Sequence, residues 1–113
     1  MTALDPGVLV AAAAIDIPLD PLPADEVLEG TPSAGSVVLD DSGDLELGVW
    51  EMTPGTATDT ETEEVFVVLS GSATVRIEGM PDLELAPGAV VRLRDGMRST
   101  WIVRETLRKV YWA

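Results

Sequence analysis

From Ser36 onward this chain alternates short apolar runs with turn residues, and the runs follow the period of two that marks β-strands. The clearest is Val65-Phe66-Val67-Val68-Leu69, which is β-branched and aromatic and stops at Ser70-Gly71-Ser72. Both of its faces are apolar, so it reads as a strand covered on both sides and closed by a turn. An acidic cluster, Glu61, Glu63 and Glu64, leads into it, and Glu64 shares a face with Phe66 and Val68. Upstream, the pattern predicts a strand over Ser36–Leu39, a hairpin loop over Asp40–Asp44 and a strand over Leu45–Met52. In that second strand Leu45, Leu47 and Val49 alternate with Glu46, Gly48, Trp50 and Met52. Thr53-Pro54-Gly55 breaks it, and Thr56–Thr60 reads as a polar loop. Downstream strands are predicted at Ala73–Glu78, Leu83–Leu85, Ala89–Leu93, Thr100–Arg104 and Leu107–Trp112. Glycines at 43, 55, 71, 79, 88 and 96 punctuate them, which is the spacing of an all-β sandwich or barrel.

The first part of the chain is different. Residues 1–7 look like a loose terminus. Val8–Ile17 reads either as a strand, from its Val and Ile, or as a short helix, from its run of alanines. Pro18, Pro21 and Pro23 then impose an extended course. The division expected is an arm over residues 1–26, lying on the body or exchanged with a partner subunit, and a β-domain over residues 27–113. Pro23–Gly30 has room for one helical turn at most.

Composition narrows the chemistry. The chain has 113 residues, 46% of them hydrophobic, enough for one domain with a core. It has no cysteine and no histidine, so thiol chemistry, the usual general base and the commonest transition-metal ligand are all missing. The net charge is −13, and all seven basic residues lie at or after Arg76. So acidic a chain is a poor partner for nucleic acid, whose binding depends on neutralising phosphates. The longest apolar run, Val8–Ile15, is eight residues, short of the ~20 that a spanning helix needs. No basic residue precedes it, as a signal peptide would require. The expectation is a cytoplasmic protein with no membrane segment.

The order of turns and motifs resembles the cupin superfamily. Gly55, Glu64 and Gly71 match the first cupin motif, and Pro87-Gly88 with Gly96 match the second. Gly48-Val49-Trp50-Glu51, Thr53-Pro54-Gly55, Glu63-Glu64-Val65-Phe66, Gly96–Trp101 and Glu105–Tyr111 are similar to the ureidoglycine-aminohydrolase-like cupins. The resemblance covers about residues 27–112. It implies a cupin-type β-barrel, a double-stranded β-helix or jelly roll, with an N-terminal extended arm. It also implies a metal site of three histidines and a glutamate, from which this sequence departs. The first two histidine positions fall on Thr58 and Thr60, or on Ala57 and Asp59, and the third is Ser99. Only Glu64 survives, so no metal and no cofactor are expected. Asp59, Glu61 and Glu64 could in principle offer Ca²⁺ or Mg²⁺ an all-oxygen site, but no spaced acidic loop supports it.

What remains is a pocket in the barrel mouth. The candidate catalytic group is Glu64, as general acid or base. Trp50, Met52, Phe66, Ser99, Trp101, Lys109 and Tyr111 are the candidate ligand-binding residues. An aromatic-lined hollow with a few polar groups is the usual form of a small-molecule site. The same aromatics also serve as ordinary core, and Lys109 also serves as a counter-ion for Glu64 or as a solvated strand-end charge. Three readings follow: a metal-independent cupin that binds a small organic molecule; an isomerase or hydrolase using Glu64, with Lys109 or Tyr111 holding a substrate carboxylate or carbonyl; and a non-catalytic dimeric scaffold. Cupins often pair as homodimers, and the Val8–Leu22 arm suits such an exchange.

Overall fold

The computed structural model describes residues 2–113, and every element among them is a strand. In chain order these are β1 (Asp20–Pro21), β2 (Val27–Glu29), β3 (Ser33–Asp40), β4 (Leu47–Met52) and β5 (Gly55–Thr60). They continue with β6 (Glu64–Ile77), β7 (Leu83–Leu85), β8 (Val90–Leu93) and β9 (Arg98–Trp112). All pairings are antiparallel.

The spine is β9. Along one edge it pairs with β6, from Val65 opposite Trp112 to Ile77 opposite Ser99. Along the other it pairs first with β4, Leu47 opposite Trp112, and then with β5, Thr60 opposite Arg98. A strand of 15 residues that serves two short partners in succession must twist along its length, and the sheet curls around it into a barrel. The inward faces fill the interior with Met52, Phe66, Val68, Val75, Leu93, Trp101, Val103 and Leu107.

The strands over Leu83–Leu85 and around Ala89–Leu93 lie where the apolar pattern puts them. Elsewhere the structure corrects the reading. Ser70-Gly71-Ser72 does not close the central strand; β6 runs through it to Ile77, and its register against β9 slips there. Gly71 makes this possible, because its φ is +93° and a Cβ would collide with the Thr106 carbonyl. Thr56–Thr60 is not a loop but β5, whose backbone finds ladder partners in β9. Thr100–Arg104 and Leu107–Trp112 are one strand, carried through Glu105-Thr106 by the slipped pairing with β6.

Val8–Ile17 is neither strand nor helix. The carbonyls of Ala12 and Ile15, which a helix would pair internally, instead accept from Nη1 of Arg108 at 3.0 and 2.8 Å. The same guanidinium donates to Glu51 Oε1 at 2.9 Å. The segment thus lies over the outer side of β3, β4 and β9. Gly35 admits it: a Cβ there would overlap the Pro18 carbonyl. Pro23–Gly30 forms a turn and then β2, which lies against β5.

Candidate functional site

A cavity of about 340 Å³ opens at one end of the barrel. Its walls come from Trp50 and Met52 of β4, Ala57 to Thr60 of β5, Glu64 of β6, and Trp101, Lys109 and Tyr111 of β9. Ala34 and Ser36 of β3, Glu61 and Thr62 between β5 and β6, and Leu22 and Glu26 from the chain's first part complete it.

The aromatic wall follows from register. Trp50 stands opposite Lys109 across β4 and β9, and Phe66 lies two residues beyond Glu64 on β6. The rings of Trp50 and Trp101 approach to 5.5 Å between centroids, and those of Phe66 and Trp101 to 5.8 Å, both tilted. Lys109 passes its ammonium among them, 4.7 Å from the centroid of Trp50, 4.3 Å from that of Phe66 and 4.8 Å from that of Trp101. Its Nζ donates to Glu64 Oε2 at 2.6 Å, and the Lys109 side chain is only 6% exposed. Lys109 is therefore the counter-ion of Glu64 rather than a solvated strand-end charge.

Across the cavity a second polar group is assembled around Glu61, which is 7% exposed. Its Oε2 accepts from the Ser99 hydroxyl at 2.5 Å and from Trp101 Nε1 at 3.0 Å. Backbone bonds to the turn before β9, Glu61 N–H to the Met97 carbonyl and Gly96 N–H to the Glu61 carbonyl, turn this residue inward. Asp59 stands opposite Ser99 at the rim. Burial, then repulsion from Glu61, raises its carboxyl above the usual aspartate range, with Glu26 adding to it. At the far side Tyr111 donates to Glu46 Oε2 at 2.8 Å, and burial together with that bond pushes its phenol up to about 12. Its ring lies against Gly48, where a Cβ would overlap it.

Of the residues singled out in the sequence, Trp50, Met52, Glu64, Trp101, Lys109 and Tyr111 line this cavity. Phe66 is fully buried behind the ammonium. Ser99 is turned to Glu61 and borders a second, more open hollow shared with Arg76, Glu78 and Arg98. The sequence places Glu61 only in an unsupported hard-cation set with Asp59 and Glu64, and it does not pair Tyr111 with Glu46. One signal pointed to Glu61: an indole N–H and a hydroxyl on one inward face, Trp101 and Ser99, require an acceptor once buried.

The metal site of the resemblance does not fit these residues. The inward positions of β5 are Ala57 and Asp59, opposite Trp101 and Ser99, so the imidazole places hold a methyl, a rim carboxylate and a hydroxyl. Glu64, the remaining donor, is closed on an ammonium. That set lacks the nitrogen and sulfur donors a transition metal prefers. Among the described residues no group of three or more Asp and Glu is placed to hold a metal ion.

An antiparallel sheet curled into a barrel with its hollow at one end, walled by two long strands and their short partners, has the architecture of a cupin. The sequence confirms it: residues 39–111 match the EutQ-like cupin domain, and the chain belongs to that family. Among solved structures it is similar to the Clostridium difficile EutQ protein, at 21% identity and a TM-score of 0.63, covering 72% of this chain and 61% of that one. A Pseudomonas syringae protein of unknown function matches at 21% identity and a TM-score of 0.76, covering 91% of this chain and 46% of the other. A cupin superfamily protein from Desulfitobacterium hafniense matches at 10% identity and a TM-score of 0.67, over 100% of this chain and 94% of that one. The chain thus spans less than two thirds of the first two proteins, and at these identities the likeness is one of fold. No curated protein matches it. The comparisons identify the EutQ-like cupin domain and do not extend to the ureidoglycine-aminohydrolase-like cupins. No helix among the described residues is long and apolar enough to cross a membrane.

Proposed function

We propose that this cupin domain binds a small organic molecule in the barrel mouth without a transition metal. The observation that carries the reading is the cavity of about 340 Å³, within the range of small-molecule sites, with Trp50 and Trp101 on its wall and carboxylates set among them. The Glu64–Lys109 pair weighs against Glu64 as a mobile general acid or base, because its carboxylate is closed on an ammonium at 2.6 Å.

A thermal-shift screen against small organic acids, amines and ureides tests the reading. Binding to the native state raises the melting temperature with the logarithm of the ligand excess over Kd. Hits that disappear in Trp50→Ala support the cavity as the site. A silent screen leaves the non-catalytic scaffold ahead.

A further inference from the structure

We infer that the molecule held in the cavity is an organic cation, an alkylammonium bound by the carboxylates of Asp59 and Glu61 with its hydrocarbon against Trp50 and Trp101. This rests on the small-molecule reading above and adds the ligand's charge to it.

The argument is one of charge and hydrogen-bond accounting. The cavity is lined by Glu26, Asp59, Glu61 and Glu64, and Lys109 is the one basic residue among its lining. Lys109 is committed to Glu64, so the other three carboxylates face the hollow without a cation. The Trp101 indole and Tyr111 phenol donors are committed as well, which leaves neutral hydroxyls such as those of Thr60 and Thr62 on the wall. Tyr111 donates to Glu46, and Ser99 and Trp101 both donate to Glu61. An incoming carboxylate or phosphate would meet three like charges with only neutral donors to bond it, whereas an ammonium would meet carboxylates that have no cation. Both bonds to Glu61 fall on Oε2, which leaves Oε1 of a carboxylate more than nine-tenths buried for the cavity it lines. A buried carboxylate with no cation is costly, and a bound ammonium relieves that cost. The strain is visible at Asp59, held above its usual range by burial and by Glu61, with Lys109 the weakest of the influences on it. The walls suit the same ligand: Trp50 and Trp101 already take the Lys109 ammonium at 4.7 and 4.8 Å.

The test is calorimetric titration of the intact chain at low salt with pentylamine, the diamine cadaverine, pentanol and pentanoate, which share a hydrocarbon tail and differ in charge. The amines are expected to bind, the diamine more tightly, and both more weakly as NaCl is added. Asp59→Asn is expected to weaken the amines about tenfold, the worth of one hydrogen bond to a charged group. Asp59 is exposed at the rim, so this variant keeps the fold. Glu61→Gln should act in the same direction, its amide oxygen still accepting from Ser99 and Trp101. Pentanol or pentanoate binding as well as pentylamine would overturn the charge assignment and leave the small-molecule reading standing. So would saturable binding of Mg²⁺ or Ca²⁺ that excludes the amines. Silence from both amines also overturns the assignment; the underlying reading falls only if the wider thermal-shift screen is silent too.

Discussion

Lys109 and Glu64 meet at 2.6 Å in the floor of the cavity, inside a box of three aromatic rings. The pairing is built by two strands. β9 brings Lys109 opposite Trp50 on β4 and Val68 on β6, and β6 brings Glu64 two residues before Phe66. The domain thus carries its own cation beside the one glutamate that the cupin motif retains.

A double-mutant cycle on this pair should show strong coupling. The two side chains are 6% and 14% exposed, so removing one partner leaves a poorly hydrated charge. Lys109→Met is expected to cost about 3 kcal/mol in urea unfolding, by the precedent of broken buried pairs. Glu64→Gln should cost less, since the rings still face the ammonium. The double variant should recover about 2 kcal/mol of the summed losses. Additive losses would mean that the pair is not an interacting unit.

Asp59 gives a pH signature. Burial and Glu61 raise its carboxyl in the folded state, with Glu26 also repelling and Lys109 opposing. The folded protein therefore holds this proton at a pH where the unfolded chain has released it. The stabilisation from protonation is full below the ordinary aspartate value of about 3.9, and it is lost as pH rises through the raised folded value. Asp59→Asn, which never ionises, should melt above wild type at neutral pH, and the two should converge in acid. The gain is small, because Asp59 is partly solvated. A variant that melts below wild type at neutral pH, or whose advantage persists in acid, would contradict the assignment.

Arg108 should be the tie that holds the first part of the chain. It bonds Glu51 and two carbonyls of the segment, with side chains 11% and 17% exposed in the ion pair. Arg108→Met is expected to cost about 2–3 kcal/mol. It should also open residues 8–17 to limited proteolysis well before the barrel is cut. Equal protection of that segment in variant and wild type would show that other contacts hold it.

The barrel was legible because period-two runs and turn glycines carry the fold in local sequence, and Gly55, Glu64, Gly71 and Pro87-Gly88 kept their places. The continuity of β6 and β9 was not. Ser70-Gly71-Ser72 has the composition of a turn, and only the passing Thr106 carbonyl shows why a glycine is needed inside a strand. The polar Thr56–Thr60 run hid a strand because its pairing with β9 is non-local. In the site, Glu64, Trp50, Trp101, Lys109 and Tyr111 could be placed by alternation once their strands were known. Glu61 could not, since it lies between strands and is aimed by backbone bonds to the Gly96-Met97 turn. The buried guanidinium of Arg108 was hidden for a similar reason: its partners Ala12 and Ile15 lie in a segment that reads as a helix or a strand.

The chain's three tryptophans offer the most direct test, through their indole N–H signals in a ¹⁵N-resolved NMR spectrum during titration with pentylamine. Trp50 and Trp101 line the cavity, Trp101 Nε1 bonds the carboxylate assigned to the ligand, and Trp112 is exposed on the outside of the barrel. The account predicts saturable movement of the Trp50 and Trp101 signals with Trp112 unmoved. Stationary signals from Trp50 and Trp101, or movement confined to Trp112, would contradict it.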